Sequence, residues 1–266
     1  MNSDRTDHYL DIDGEKYCAI YDFDEMAPFL MSIPSDSDLW MFVASSGGLT
    51  AGRVDAEGSL FPYETADRLY DGHAHTGPVT LVRIPGRVWE PFGTCERSKS
   101  VRRNLYKNIT GNRVVFEETD VESGLVFSYR WSACREFGHV RTAMIKNGST
   151  ERVELSMIDG LRNILPFGAP LGLYQTASSL VDAYKRVDVY RESSLAVFSL
   201  TSRIIDRAEA AEQLRANTVW CTAPFDFDIH LSRESIDSFR EGQDPPGEDV
   251  LRGQRRRVEQ RETRQR

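Results

Sequence analysis

Trp40, the run Gly47-Gly-Leu-Thr-Ala-Gly-Arg53, Leu60-Phe-Pro-Tyr63 and Asp67 bring together the residue types that recognise sugars. Aromatic faces stack on the C–H surface of a pyranose, while an arginine and a carboxylate hydrogen-bond its hydroxyls. Trp40, Arg53, Phe61, Tyr63 and Asp67 are therefore the candidate carbohydrate contacts, grouped around tight glycine turns. The plainer assignment makes Trp40, Phe61 and Tyr63 core residues and pairs Arg53 internally with a carboxylate. His73-Ala-His75 is the only close histidine pair. On a strand both rings would share one side, but no third ligand is placed by the sequence, so a solvated loop is expected there and no metal site. Asp36 with Asp38, and Asp226 with Asp228, have a period-2 spacing that would suit acid–base work on a glycosidic bond. Such pairs equally decorate turns and polar strand faces. The chain has no Gly-x-Ser-x-Gly elbow, no Walker loop and no Gly-x-Gly-x-x-Gly fingerprint.

The elements that must hold these residues read as strands. From 101 to 158 the chain alternates strongly: Leu125, Phe127, Tyr129 and Trp131 occupy one parity, Val126, Ser128, Arg130 and Ser132 the other. Successive strand side chains point to opposite faces, so this pattern puts an aromatic face on a core and a polar face toward water. Val153, Leu155 and Met157 repeat the pattern. Consecutive strands of this kind, joined by Gly, Asn, Asp and Ser turns, specify antiparallel sheets and a mainly β fold. Further strands are expected over 17–23, 39–44, 49–54, 59–63, 78–84, 87–92, 186–190, 195–200, 218–222 and 227–231. Residues 159–168 read as an ordered loop, and helical turns are expected over 176–184, 208–216 and 235–239. The domain reading is an N-terminal extension with one possible strand (1–35), a β domain (36–242) and a disordered Arg/Glu/Gln-rich tail (243–266).

Composition narrows the partners. At 266 residues the chain is long enough for one large β domain. A net charge of -8 disfavours nucleic acid and anionic membrane, both of which need a basic face. No window approaches the roughly 20 apolar residues of a membrane helix, and residues 1–8 lack the charged-then-apolar secretory pattern. Cys18, Cys95, Cys134 and Cys221 are scattered without a Cys-x-x-Cys pair, which suits free thiols in a reducing cytoplasm.

Several longer motifs resemble one family. Leu49-Thr-Ala-Gly-Arg53 with Leu60-Phe-Pro-Tyr63, Arg103-Asn-Leu-Tyr-Lys107 with Val115-Phe-Glu-Glu118, and Asp159-Gly-Leu-Arg-Asn-Ile-Leu-Pro166 are similar to the N-terminal region of large bacterial proteins related to cellobiose phosphorylase. Leu180-Val-Asp-Ala-Tyr-Lys185 and Thr218-Val-Trp220 continue the likeness, which runs to about Leu251. The resemblance implies an antiparallel β-super-sandwich of the galactose mutarotase-like type, followed by a helical linker and a catalytic α/α toroid. It implies inverting phosphorolysis of a glycosidic bond, with one carboxylic acid protonating the leaving oxygen and inorganic phosphate attacking as co-substrate. No other cofactor is implied. The expected partners are an oligosaccharide or glucoside, together with the toroid or a second copy of the chain. The family's general acid lies in the toroid, so no residue here is assigned as catalytic. Near Arg252-Gly-Gln-Arg255, where family members continue with folded sequence, this chain turns Arg-rich, which reads as a truncated or frameshifted frame. If a face normally packs on the toroid, the chain alone should expose apolar surface and self-associate.

Overall fold

The computed structural model describes residues 9–93, 100–202, 204 and 215–246. Among these, the first strands are β1 (Tyr9–Ile12), β2 (Glu15–Tyr21), β3 (Leu30–Ser32), β4 (Leu39–Ala44) and β5 (Leu49–Arg53). They continue as β6 (Gly77–Ile84), β7 (Arg87–Trp89), β8 (Val101–Asn108), β9 (Arg113–Asp120) and β10 (Leu125–Cys134). The last are β11 (Gly138–Asn147), β12 (Ser156–Arg162), β13 (Lys185–Tyr190), β14 (Leu195–Leu200) and β15 (Ala216–Trp220). The described α-helices are α1 (Ala66–Asp71), α2 (Leu171–Tyr184) and α3 (Arg233–Arg240). The protein is mainly β, and its described strand pairs are antiparallel, as the alternation requires. No described helix is long and apolar enough to cross a membrane.

The largest sheet has the order β1-β2-β8-β9-β10-β11. Register aligns its inner face in rows: Leu105, Phe116 and Tyr129 lie side by side, as do Arg103, Glu118 and Phe127. Leu125, Phe127, Tyr129 and Trp131 are all buried on this face, so the parity in the sequence is the parity of the core. Two three-stranded sheets, β3-β4-β5 and β12-β6-β7, contribute Met31, Met41, Val43, Leu49, Ala51, Val82 and Ile84 to the same hydrophobic cluster. Full burial of each such side chain contributes about 1.5–3 kcal/mol. The β13-β14-β15 sheet forms a separate small core with α2 through Val181 and Leu200. Phe239 of α3 packs on Val79 and Leu81 of β6.

The β4–β5 hairpin and α1 position the residues of interest. The turn closes with Gly47 at φ 94°, a left-handed conformation that favours glycine. Gly48 is needed for a different reason: a Cβ there would lie 2.0 Å from the Leu69 carbonyl oxygen of α1. The hairpin turn therefore rests directly on the backbone of that helix.

Several expectations are corrected. The N-terminal segment supplies three described strands rather than one, and β2 hydrogen-bonds β8 inside the six-stranded sheet. Residues 59–63 form a single bridge, Gly52 to Ser59, because the Leu60 and Phe61 N–H groups both donate to the Ala51 carbonyl. The strand expected over 153–157 begins at Ser156 and runs on through the expected loop to Arg162, pairing residue by residue with β6. Val153 and Leu155 still pack on the main core without joining a ladder. No described strand covers 227–231, where Phe227 is exposed and finds no ladder partner. The helix expected at 176–184 starts earlier, at Leu171, and breaks from helical geometry at Ala177. Residues 208–214 of the expected 208–216 helix lie outside the described residues, and Ala216 opens β15. Residues 247–266 of the expected disordered tail also lie outside them.

Candidate functional site

Alternation along β4 sends Met41 and Val43 into the core and leaves Trp40 and Phe42 on the other face. Their rings lie 6.4 Å apart, and Tyr63 meets Trp40 edge-on at 5.8 Å. Phe42 and Tyr63 remain 38% and 45% accessible, a large apolar area to leave in water. The indole lies over Gly52, its register partner on β5; a Cβ at Gly52 would meet the ring at 2.6 Å. The Trp40 Nε1–H donates to the Asp55 carbonyl at 3.2 Å, which fixes the ring's tilt. Next along β5, Arg53 pairs in register with Leu39, on the parity opposite to Trp40, and its Nε sits 3.5 Å from Asp38 Oδ1, both side chains about half exposed. The structure thus brings together Trp40 and Tyr63 with Phe42, a ring outside the predicted contact set, and ties Arg53 separately to Asp38.

Two predicted contacts are placed elsewhere. Phe61 is 0% accessible and belongs to the main core, so its ring has no face to offer a ligand. Asp67 stands exposed in the first turn of α1 and makes no described hydrogen bond or ion pair to Arg53. The Thr65 hydroxyl and neighbouring backbone N–H groups hold its carboxyl below the usual range. Asp36, Asp226 and Asp228 are exposed, and Asp38 is held by Arg53. His73 and His75 lie at a 3-10 turn (Gly72–Ala74) rather than on a strand. His75 is exposed, whereas His73 is half-buried. Among the described residues no cluster of histidine, cysteine and carboxylate side chains has the arrangement of a metal site.

A second constellation escaped the motif search. On β9 the buried face runs Val114, Phe116, Glu118, Asp120, so two carboxylates continue an apolar row, each 1% accessible. Buried carboxylates need partners, and these have them. Glu118 accepts from Trp89 Nε1 at 2.8 Å, from the Phe92 N–H at 2.7 Å and from Arg103 Nε at 2.8 Å. Asp120 is paired with Arg87 and accepts from the Ser123 N–H at 3.1 Å and from its hydroxyl. The two acids fasten β7 and the following loop, residues 90–93, to the six-stranded sheet. Arg240 of α3 grips Glu90 on that loop with two 2.8 Å hydrogen bonds.

These contacts wall a cleft of about 640 Å³, also lined by Ser46, Gly47, His73, Phe92, Tyr129 and Arg162. Tyr129 stacks on Phe116 at 4.9 Å, takes the edge of Phe92 at 5.3 Å and carries the Arg141 guanidinium 4.9 Å from its ring centre. Burial pushes its phenol above the ordinary range, so it is a neutral donor at physiological pH. Burial, reinforced by Arg162, pushes the His73 imidazole down and keeps it neutral. Arg162 donates to the carbonyls of Ala74 at 2.5 Å, of Pro78 at 3.0 Å and of His73, which pins the histidine turn to β12.

The signal for this cleft was present in the sequence. Glu117-Glu118-Thr-Asp120 places one acid on the outer face and two in phase with Val114 and Phe116. Arg103 is in phase with Leu105 in the same way. Charged residues on the apolar parity of a long strand mark a polar site inside a core. Neither any family model nor any curated protein sequence matches the chain.

Proposed function

We propose that this chain is a carbohydrate-binding β domain of the kind that accompanies glycoside phosphorylases, with phosphorolysis or glycosyl transfer carried out by a toroid outside it. One observation carries the reading: Trp40 and Tyr63 meet at 5.8 Å on an accessible face, in a hairpin that carries the Arg53–Asp38 pair at its next register position. Rings stripped of core duty at the end of a hairpin that also carries a hydrogen-bonding charge pair suit the alternating C–H and O–H surface of a glucoside. The buried acids of the cleft support binding over catalysis. Glu118 and Asp120 are each held by an arginine, and neither is free to carry a proton to a leaving group. The motif resemblance points to the same family of sugar enzymes.

Titration of the purified chain with cellobiose and short glucans, followed by calorimetry, tests the reading. Saturable binding is expected, with Trp40→Ala weakening it about tenfold, the scale of one lost aromatic stacking contact. Equal affinity in the variant, or no binding to any of these sugars, overturns the platform as a sugar site. Incubation with cellobiose and inorganic phosphate should give no glucose 1-phosphate; clear turnover by the chain alone would refute the placement of catalysis outside it.

A further inference from the structure

We propose that the cleft between the β4–β5 turn, residues 90–93 and Tyr129 is a second binding site, for a neutral polyhydroxylated molecule of monosaccharide size. It lies at the other end of the β4–β5 hairpin from the Trp40 platform. The strand rise of ~3.3 Å per residue over the four steps from Trp40 to Ala44 puts the Gly47 turn roughly 15 Å from Trp40. The inference does not rest on the platform reading.

Size comes first. A volume of about 640 Å³ falls within the roughly 300–1,000 Å³ of small-molecule sites and is ample for one six-membered ring with its hydroxyls. Charge comes second. Among the described residues, the acids around the cleft are Glu90, Glu118, Asp120 and Glu122, and the guanidinium groups are Arg87, Arg103, Arg162 and Arg240. Four stand against four, and every acid has its arginine: Glu90 with Arg240, Glu118 with Arg103, and Asp120 and Glu122 with Arg87. Arg162 is occupied by three backbone carbonyls. A site so balanced selects neither a phosphate nor an amine, since either would have to break a pair already made.

The unspent polar group defines the ligand. The neutral Tyr129 hydroxyl borders the cleft and makes no hydrogen bond among the described residues. His73 Nδ1 and Arg162 Nε also lack partners there, but both atoms are closed to solvent and so to a guest in the cleft. An unpaired donor costs about 1–3 kcal/mol, so a guest that pairs the phenol is favoured. A hydroxyl both donates and accepts, and so answers it. Phe92, half-buried on the wall, supplies an apolar ring for the C–H face of the same molecule. Gly47 stands against the same wall, where a Cβ would lie 3.5 Å from the Tyr129 hydroxyl.

The test starts from the full chain carrying Trp40→Ala, which disables the platform, and titrates it with glucose and with myo-inositol by calorimetry and thermal shift. Saturable binding is expected to persist in this background and to weaken about tenfold on adding Tyr129→Phe, which deletes one hydroxyl and leaves the stacked ring. His73→Asn provides a second variant at another wall, expected to weaken binding in the same sense. Unchanged melting temperature without ligand confirms that each variant folds. Three results overturn the proposal: no binding in the Trp40→Ala background, equal affinity after both Tyr129→Phe and His73→Asn, or preference for glucose 6-phosphate or glucosamine over glucose. The platform reading is judged separately, by the wild type against Trp40→Ala.

Discussion

At one end of the β4–β5 hairpin, Trp40, Phe42 and Tyr63 hold large apolar rings in water, and Arg53 and Asp38 form a half-exposed ion pair. At the other end, Glu118 and Asp120 are taken out of water entirely and answered by Arg103, Arg87, Trp89 and Ser123. Both ends concentrate aromatic and charged residues, yet the energetics are opposite. The Arg53–Asp38 pair at 3.5 Å is solvent-screened and contributes about 0–1 kcal/mol. The Glu118 network holds a desolvated carboxylate in place, and removal of one member strands the rest. A surface site is therefore changed without harm to the fold, whereas the paired acids in the cleft wall hold the fold together. Change at the platform should leave stability intact, and change at Glu118 or Asp120 should not.

Glu118→Ala gives the largest effect. Loss of the carboxylate leaves the Arg103 guanidinium, the Trp89 Nε1–H and the Phe92 N–H buried without their acceptor. Denaturant unfolding should show a loss of about 3–5 kcal/mol. Arg53→Ala in the same assay should stay within ~1 kcal/mol. Comparable losses from the two would erase the contrast drawn between the two ends.

A smaller effect is expected where the hairpin turn touches α1. Gly48→Ala drives a methyl to 2.0 Å from the Leu69 carbonyl oxygen, and the turn must shift at a cost of about 1–3 kcal/mol. Gly72→Ala, a few residues beyond Leu69, meets nothing within 4 Å at an ordinary negative φ and should be neutral within about 0.5 kcal/mol. Circular-dichroism melts of the two variants check this. Equal melting temperatures would mean that the turn does not rest on the helix.

The smallest effect concerns pH, and each end of the hairpin carries one histidine for it. Burial depresses His73 at the cleft, reinforced by Arg162. Burial also depresses His139, whose Nε2 lies 3.2 Å from the Gly52 carbonyl oxygen behind the platform. With folded values below the unfolded one near ~6.5, the unfolded chain takes up protons first. The stabilisation is whole above pH ~6.5 and is lost as pH falls toward the folded values. Urea midpoints measured at pH about 7.5 and about 5.5 should drop on acidification, on either side of that value. His73→Asn and His139→Asn should each flatten part of the slope. A slope unchanged in both variants would show that neither ring is kept neutral by burial.

Much of this was legible in the residues. The parity of Leu125, Phe127, Tyr129 and Trp131 gave the long strand and its buried face, and register then placed Phe116 beside Tyr129. The Trp40 and Tyr63 pair was legible too, as aromatics around glycine turns. Phe61 was not distinguishable from Tyr63 by type or spacing. What separates them is the pair of N–H bonds to Ala51 that turns Phe61 inward. The extent of β12 was hidden for a similar reason: Asp159-Gly160 reads as a turn until Thr80 donates to Asp159 at 2.6 Å and Arg141 forks onto the same carboxylate at 2.7 and 2.8 Å.

Alternation has a period of two and is a property of neighbouring residues, so the chain by itself dictated antiparallel sheets, an aromatic interior and two acids on the buried side of β9. Which groups answer those acids depends on ladders that join residues far apart in sequence, and that was decided only when Arg87, Trp89 and Phe92 were carried over Asp120 and Glu118. The same long-range pairing set Phe61 in the core and left Trp40 and Tyr63 facing water. Local pattern fixes which way a side chain points, whereas tertiary contact fixes what it finds there.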